Sequence, residues 1–172
     1  MPRLIRWRDG TASWADDAMT CVDDDQPIPN GDVLVSLAVF QRERGYLLSE
    51  DRSLGVTLGP ADEPESLIVD LPRLSVVALT FPKFRDGRAY SAARVLRERL
   101  GFNGEIRAVG DVLLDMVAPL VRCGFDAFAP ADASVPEQWT SAAIRFRHVY
   151  QRAADSRRPA FAERIGDLAE GV

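Results

Sequence analysis

The residues best equipped for chemistry stand together in FPKFRDGRAYS, residues 81–91, where Lys83, Arg85, Asp86 and Arg88 crowd around Gly87 within six positions. An apolar run stops at Pro82 just before them, and an amphipathic helix begins just after. Arginine presents a planar fork of N–H donors that matches an oxyanion. The first N–H groups of a helix add the positive end of its dipole. With the Ser91 hydroxyl at the helix start, such a loop suits sulfate, sulfite, phosphate or a carboxylate. Lysine and arginine number 21 together, and Lys83 is the single lysine. The competing reading is structural: Asp86 pairs with Arg85 or Arg88 and merely fixes the turn. Both readings stay open on the residues alone.

Other positions could join this group. Arg107 sits mid-strand, with Ile106 and Ala108 pointing the other way, so it needs solvent or a carboxylate such as Asp126. We expect it to face the anion across the mouth of the fold. Asp86 and Asp111 are the candidate catalytic groups, as orienters of the arginines or in proton transfer. Asp111, one helical turn before Asp115, also reads as a helix cap. Cys123 precedes a helix-ending glycine, where the dipole raises a thiol pKa, and reads as a packed small residue. His148 reads as a surface residue. No spacing suggests a metal site, and neither a Ser-His-Asp triad nor a glycine-rich nucleotide loop is in view.

These positions need elements to hold them. A chain of 172 residues with 47% hydrophobic and 27% charged composition fits one globular domain. The net charge of −5 argues against nucleic acid as a partner. No apolar run nears the roughly 18 residues that span a bilayer, and the N-terminus lacks a secretory pattern. Cys21 and Cys123 lie far apart in sequence, so a reduced, cytoplasmic protein is expected. Residues 1–32 read as a β-hairpin and loop, with Asp9-Gly10 as a turn. Residues 33–151 read as the α/β core, and 152–172 as a charged, loosely attached tail.

Within that core, strands are predicted at 33–37, 55–58, 75–81, 104–110 and 125–129. Helices are predicted after the first strand, from an Asp62 cap, over 88–100, from an Asp111 cap, and from a Ser134–Glu137 capping box to Tyr150. Five sequential βα units imply a mainly parallel sheet. It is either open and doubly wound or a partial, half TIM-barrel-like sheet, and Arg107 tips the reading toward the latter. A half-closed barrel leaves an edge uncovered, so a homodimer is expected. The hairpin and the Trp139–Tyr150 helix are the competing covers.

The pattern Phe81-Pro82, Phe84, Asp86-Gly87-Arg88, Tyr90-Ser91, Leu96-Arg97, Gly104-Glu105, Arg107-Ala108, Gly110-Asp111 and Arg122 to Phe125 resembles the bacterial domain-of-unknown-function family 934. The resemblance is close over residues 81–128 and extends back to Val33. Members are commonly labelled as oxidoreductases of sulfite reduction and are typically encoded beside assimilatory sulfite- and sulfate-reduction enzymes. The resemblance therefore implies a role in that pathway, with sulfite or sulfate as ligand and sulfite reductase or its electron donor as partner. Similar proteins often place a glutamine after Asp115, where this chain has Met116. The cofactor stays unassigned, because cysteine clusters and other flavin, siroheme or iron–sulfur features are not in view.

Overall fold

A computed structural model describes residues 3–155 and 157–164. It opens on a hairpin, β1 (Arg3–Arg8) and β2 (Thr11–Asp16), paired antiparallel. Asp9 and Gly10 take φ values of 49° and 78° at its tip. Two consecutive positive φ angles are what a tight two-residue hairpin turn requires. The partner of β1 is thus TASWAD; the apolar piece around Cys21 forms β3 (Thr20–Val22) elsewhere in the sheet.

The parallel units follow in sequence. β4 (Val33–Ser36) leads into α1 (Leu37–Ser49), where Ser36 Oγ accepts a hydrogen bond from the Val39 N–H at 3.2 Å. β5 (Leu54–Leu58) comes next, but the helix expected from Asp62 does not form. Two 3₁₀ turns, Pro64–Leu67 and Leu71–Arg73, stand in its place. Asp62 turns back instead and accepts from the Gly59 N–H at 2.7 Å. Pro72 lacks an N–H and restricts the residue before it, so a continuous helix cannot run through.

β6 (Val76–Phe81) is followed by α2 (Arg88–Arg94), which continues as a π-helical turn over Val95–Arg99. β7 (Glu105–Gly110) leads to a 3₁₀ turn at Leu114–Met116 and then α3 (Val117–Arg122). β8 is only Ala127–Phe128, shorter than its apolar run suggested. α4 spans Pro136–Ala143 and stops well before Tyr150. Its expected capping box is also different: Gln138 Oε1 accepts from the Val135 N–H, while Ser134 Oγ accepts from the Trp139 indole N–H at 2.7 Å. No helix among the described residues is long and apolar enough to cross a membrane.

All eight strands form one sheet in the order β2-β1-β8-β7-β6-β5-β4-β3. From β3 to β8 every neighbouring pair is parallel, so the five strands predicted over 33–129 run as expected. Each crossover steps to the adjacent position in the same direction, which puts the connecting helices on one face. The main core lies there, with Val35, Val56, Leu79, Ile106 and Phe128 from the strands and Phe40, Leu96 and Leu120 from the helices.

The two outer strands, β2 and β3, are joined by only three residues, Asp17–Met19. Eight strands laid flat would separate them by roughly 33 Å. The link from Asp16 to Thr20 reaches at most about 14 Å. The sheet therefore curls into a half-barrel, and the link crosses the inner face near the amino ends of the parallel strands. Met19 packs there against the small cluster of Leu34, Val76 and Ala78. Gly55 leaves the room: a Cβ on it would lie 2.7 Å from Leu34 Cδ1 and 3.2 Å from Met19 Sδ.

The hairpin lies along β8, with Ile5 opposite Phe128. α4 packs over β2: Thr140 Oγ1 accepts from the Ala12 N–H at 2.9 Å, and Trp139 stacks on Phe128 with centroids 4.9 Å apart. The chain itself thus supplies both covers that compete with a second copy for this edge.

Candidate functional site

The polar loop between β6 and α2 lies beyond the carboxyl end of β6, where ligands of parallel sheets bind. Its path is set by the end of β7. Gly110 has φ 95°, and its backbone runs so close to Phe81 that a Cβ would lie 2.4 Å from the Phe81 carbonyl oxygen. The turn lets the Asp111 N–H donate to that same oxygen at 2.8 Å. It also aims the Asp111 carboxylate back at the loop, where Oδ2 accepts from the Phe84 N–H at 2.9 Å. Asp111 is therefore a brace for the loop rather than the cap of the following helix.

Within the loop, the Asp86 N–H donates to the Lys83 carbonyl at 2.9 Å and closes a turn. Arg88 grips Asp86 with both arms, Nε to Oδ1 at 2.9 Å and Nη2 to Oδ2 at 2.6 Å. The structural pairing foreseen for Asp86 is thus present, and it involves Arg88. The Arg88 guanidinium, helped by its own backbone N–H, pulls the Asp86 carboxyl down to about 2. A depressed carboxyl pKa stabilises the fold above the unfolded value and loses that contribution as pH falls through the folded one. We expect the Asp86 carboxyl, followed by NMR, to titrate near 2, and to rise toward its ordinary 3.8 in Arg88→Ala, which removes the guanidinium and keeps the backbone N–H. A wild-type midpoint near 3.8 would mean that the pair does not hold in solution.

Lys83 and Arg85 are exposed, and no carboxylate pairs with either among the described residues. Arg85 instead lies over the ring of Phe84, 5.4 Å from its centroid, and Phe84 is itself 47% exposed. Ser91 is exposed on α2. Arg88 also borders a cavity of about 40 Å³ together with Gly59, Asp62, Thr80 and Ala92. That is room on the order of one water or small ion. Lys83, Arg85, Arg88 and Ser91 therefore share one end of the sheet, with Asp86 among them and Asp111 behind.

Arg107 does not join them. It is only 3% exposed, on the inner face, where Nη1 donates to Asp17 Oδ2 at 2.8 Å and Nη2 to Glu105 Oε1 at 2.9 Å. Glu105 in turn takes Arg6 Nη2 at 2.9 Å on its other oxygen. Two arginines and two carboxylates from β1, β7 and the Asp17–Met19 link thus form a ladder with no net charge. Asp126, a possible partner for Arg107, pairs with Arg97 instead. Arg97 also donates to the carbonyls of Phe102, Gly104 and Gly124, so one guanidinium ties the π turn to two loops. Sequence reasoning missed Asp17, Glu105 and Arg97. The available signal was a charge inside a strand or on a buried helix face, which demands a partner without naming it.

The remaining chemistry-bearing residues are placed as follows. Burial first, then the charge of Arg94, which opposes it, sets the Cys123 thiol, and the net direction is up. The Tyr90 hydroxyl beside it is pushed up to about 12, again by burial. His148 is exposed and its Nδ1 lies 2.7 Å from Glu163 Oε2. No three His, Cys, Asp or Glu side chains among the described residues are grouped to hold a metal ion.

The family model described as "Bacterial protein of unknown function (DUF934)" matches residues 55–161, which include the loop, its Asp111 brace and both arginine hubs. No curated protein matches the chain.

Proposed function

Because the chain belongs to the bacterial family of unknown function DUF934, we propose that it is an accessory protein or oxidoreductase of assimilatory sulfite reduction that binds a small oxyanion on the 82–91 loop. One observation carries the anion site. Lys83 and Arg85 are cations without a carboxylate partner among the described residues, placed beside Arg88 at the carboxyl end of a parallel strand. The pathway rests on the sulfite-reduction label attached to similar proteins. Arg88 is engaged with Asp86, but exposed ion pairs exchange partners at little cost. A doubly charged anion arriving between Lys83 and Arg85 can draw Arg88 toward it and leave Asp86 to its backbone contact.

Calorimetry with sulfite and sulfate tests the site. Arg88→Ala and the double change Lys83→Ala/Arg85→Ala should each weaken binding about tenfold or more, with thermal stability nearly unchanged. In cells, the same variants should impair growth on sulfate and spare growth on cysteine. Wild-type affinity in both variants would remove the anion site. Normal growth of a deletion strain on sulfate would remove the pathway.

A second reading has its own support. Phe84 and Arg85 form an exposed aromatic–guanidinium contact, and aromatic residues and arginine are residue types enriched at protein interfaces. In that reading the domain docks onto sulfite reductase or its electron donor without turnover. Phe84→Ala would then lose co-purification with the reductase while keeping anion binding.

A further inference from the structure

Away from the loop, a cavity of about 410 Å³ opens where the segment 146–153 folds over the ends of α3 and α4. None of residues 82–88 borders it. Its wall is largely apolar, built from Ala118 and Pro119 of α3, Ala143 at the end of α4, and Phe146, Val149 and Tyr150. Phe146 and Tyr150 are 64% and 89% exposed, so two aromatic rings stand in solvent beside it. The volume lies within the range of small-molecule sites, which are mostly apolar with a few polar groups.

The charged side chains that line it are all arginines, beside the polar Cys123, His148 and Gln151. Arg94, Arg122, Arg152 and Arg157 border the cavity. Two carboxylates answer them, Glu98 on Arg94 at 2.9 Å and Asp155 on Arg122 at 3.2 Å, while Glu163 faces His148. Arg157 donates to the carbonyls of Phe146 and Arg147 and so keeps its charge uncancelled. Arg152 is exposed and has no partner among the described residues. The rim therefore carries an excess of positive charge over an apolar floor.

We infer that this cavity binds an amphipathic organic acid, with an apolar body of aromatic size and one carboxylate or sulfonate. An inorganic anion would leave the apolar wall wet, and a neutral ligand would leave Arg152 and Arg157 unanswered. The body lies against Ala118, Pro119 and Val149, and the acid group is held by Arg152 in the field of Arg122 and Arg157. This inference does not depend on the role of the 82–91 loop.

The test uses the full chain and the fluorescent aromatic sulfonate 8-anilinonaphthalene-1-sulfonate, with its uncharged parent 1-anilinonaphthalene as the comparison. The folded protein should take up one equivalent of the sulfonate and bind the uncharged parent at least about tenfold more weakly. Arg152→Glu should weaken the sulfonate by about tenfold or more and leave the parent unaffected. Ala118→Phe should fill the cavity and abolish both signals, with an unchanged near-UV spectrum showing that the fold is kept. If Ala118→Phe does not fold, the Arg152→Glu comparison decides alone, since that side chain is exposed. Equal binding of the two dyes, no binding of the sulfonate, or wild-type behaviour of Arg152→Glu would each overturn the inference.

Discussion

Asp17→Ala should destabilise the protein by about 3–5 kcal/mol, as breaking one side of a buried ion pair does. The Asp17 and Arg107 side chains are both only 4% exposed, and Nη1 of Arg107 has Asp17 as its acceptor. Without Asp17, Glu105 is left to answer both Arg107 and Arg6, and a guanidinium remains in the interior with one positive charge uncompensated. Replacing both partners by apolar residues of similar size, Asp17→Leu with Arg107→Met, should recover much of the loss, because the desolvation penalty then disappears. Urea unfolding of the two variants reads both effects. A loss below about 1 kcal/mol for Asp17→Ala would place the pair at the level of surface ion pairs. The link would then not seal the inner face.

Gly110→Ala should cost about 3 kcal/mol and loosen the polar loop as well. The position needs φ 95°, where an L side chain is strained. Its Cβ would meet three backbone atoms of Phe81, at 2.4, 3.1 and 3.3 Å, and backbone cannot rotate aside as a side chain can. Any shift that relieves the contact disturbs the Asp111 N–H bond to Phe81, and with it the Asp111 brace on Phe84. Gly101→Ala is the matched comparison: it also has positive φ, 65°, but nothing lies within 4 Å of its Cβ. That variant should cost about 1–2 kcal/mol. Equal melting temperatures for the two variants would show that close approach at Phe81 contributes nothing.

The repeating units were legible because their signals are local. An apolar β-branched run such as SVVALTF, or Gly101 and Gly124 at helix ends, each speaks for a few neighbours. Some misread positions are those where a local signal competes with a distant partner. Asp111 precedes an apolar stretch as a cap should, yet Gly110 turns the chain and delivers its carboxylate to Phe84. α4 ends at Ala143, and it is Val149, not Phe146, that is buried beyond it and bridges to Pro159.

The candidate site divides in the same way. Lys83, Arg85, Asp86, Arg88 and Ser91 are neighbours in sequence, and the fold keeps them at one end of the sheet. Arg107 was drawn toward them by its type, but its partners come from Asp17, ninety residues earlier, and from Glu105. No spacing rule could have named Asp17, because the reason for the contact is the curl of the sheet.

The three-residue link has a consequence for how the wall is completed during synthesis. β3 to β7 can assemble one after another as each crossover emerges, each strand joining the one before it. The hairpin cannot, since β1 needs β8, more than a hundred residues later in the chain. The hairpin is thus made before the strand that seats it, and until then Leu4 and Ile5, both buried at the end, stay in solvent. Pairings of such separation raise the contact order, which slows folding and prolongs the exposure of unpaired strand edges. The N-terminal hairpin acts as the keystone of an arch whose other stones are laid in order, and it waits longest for its place.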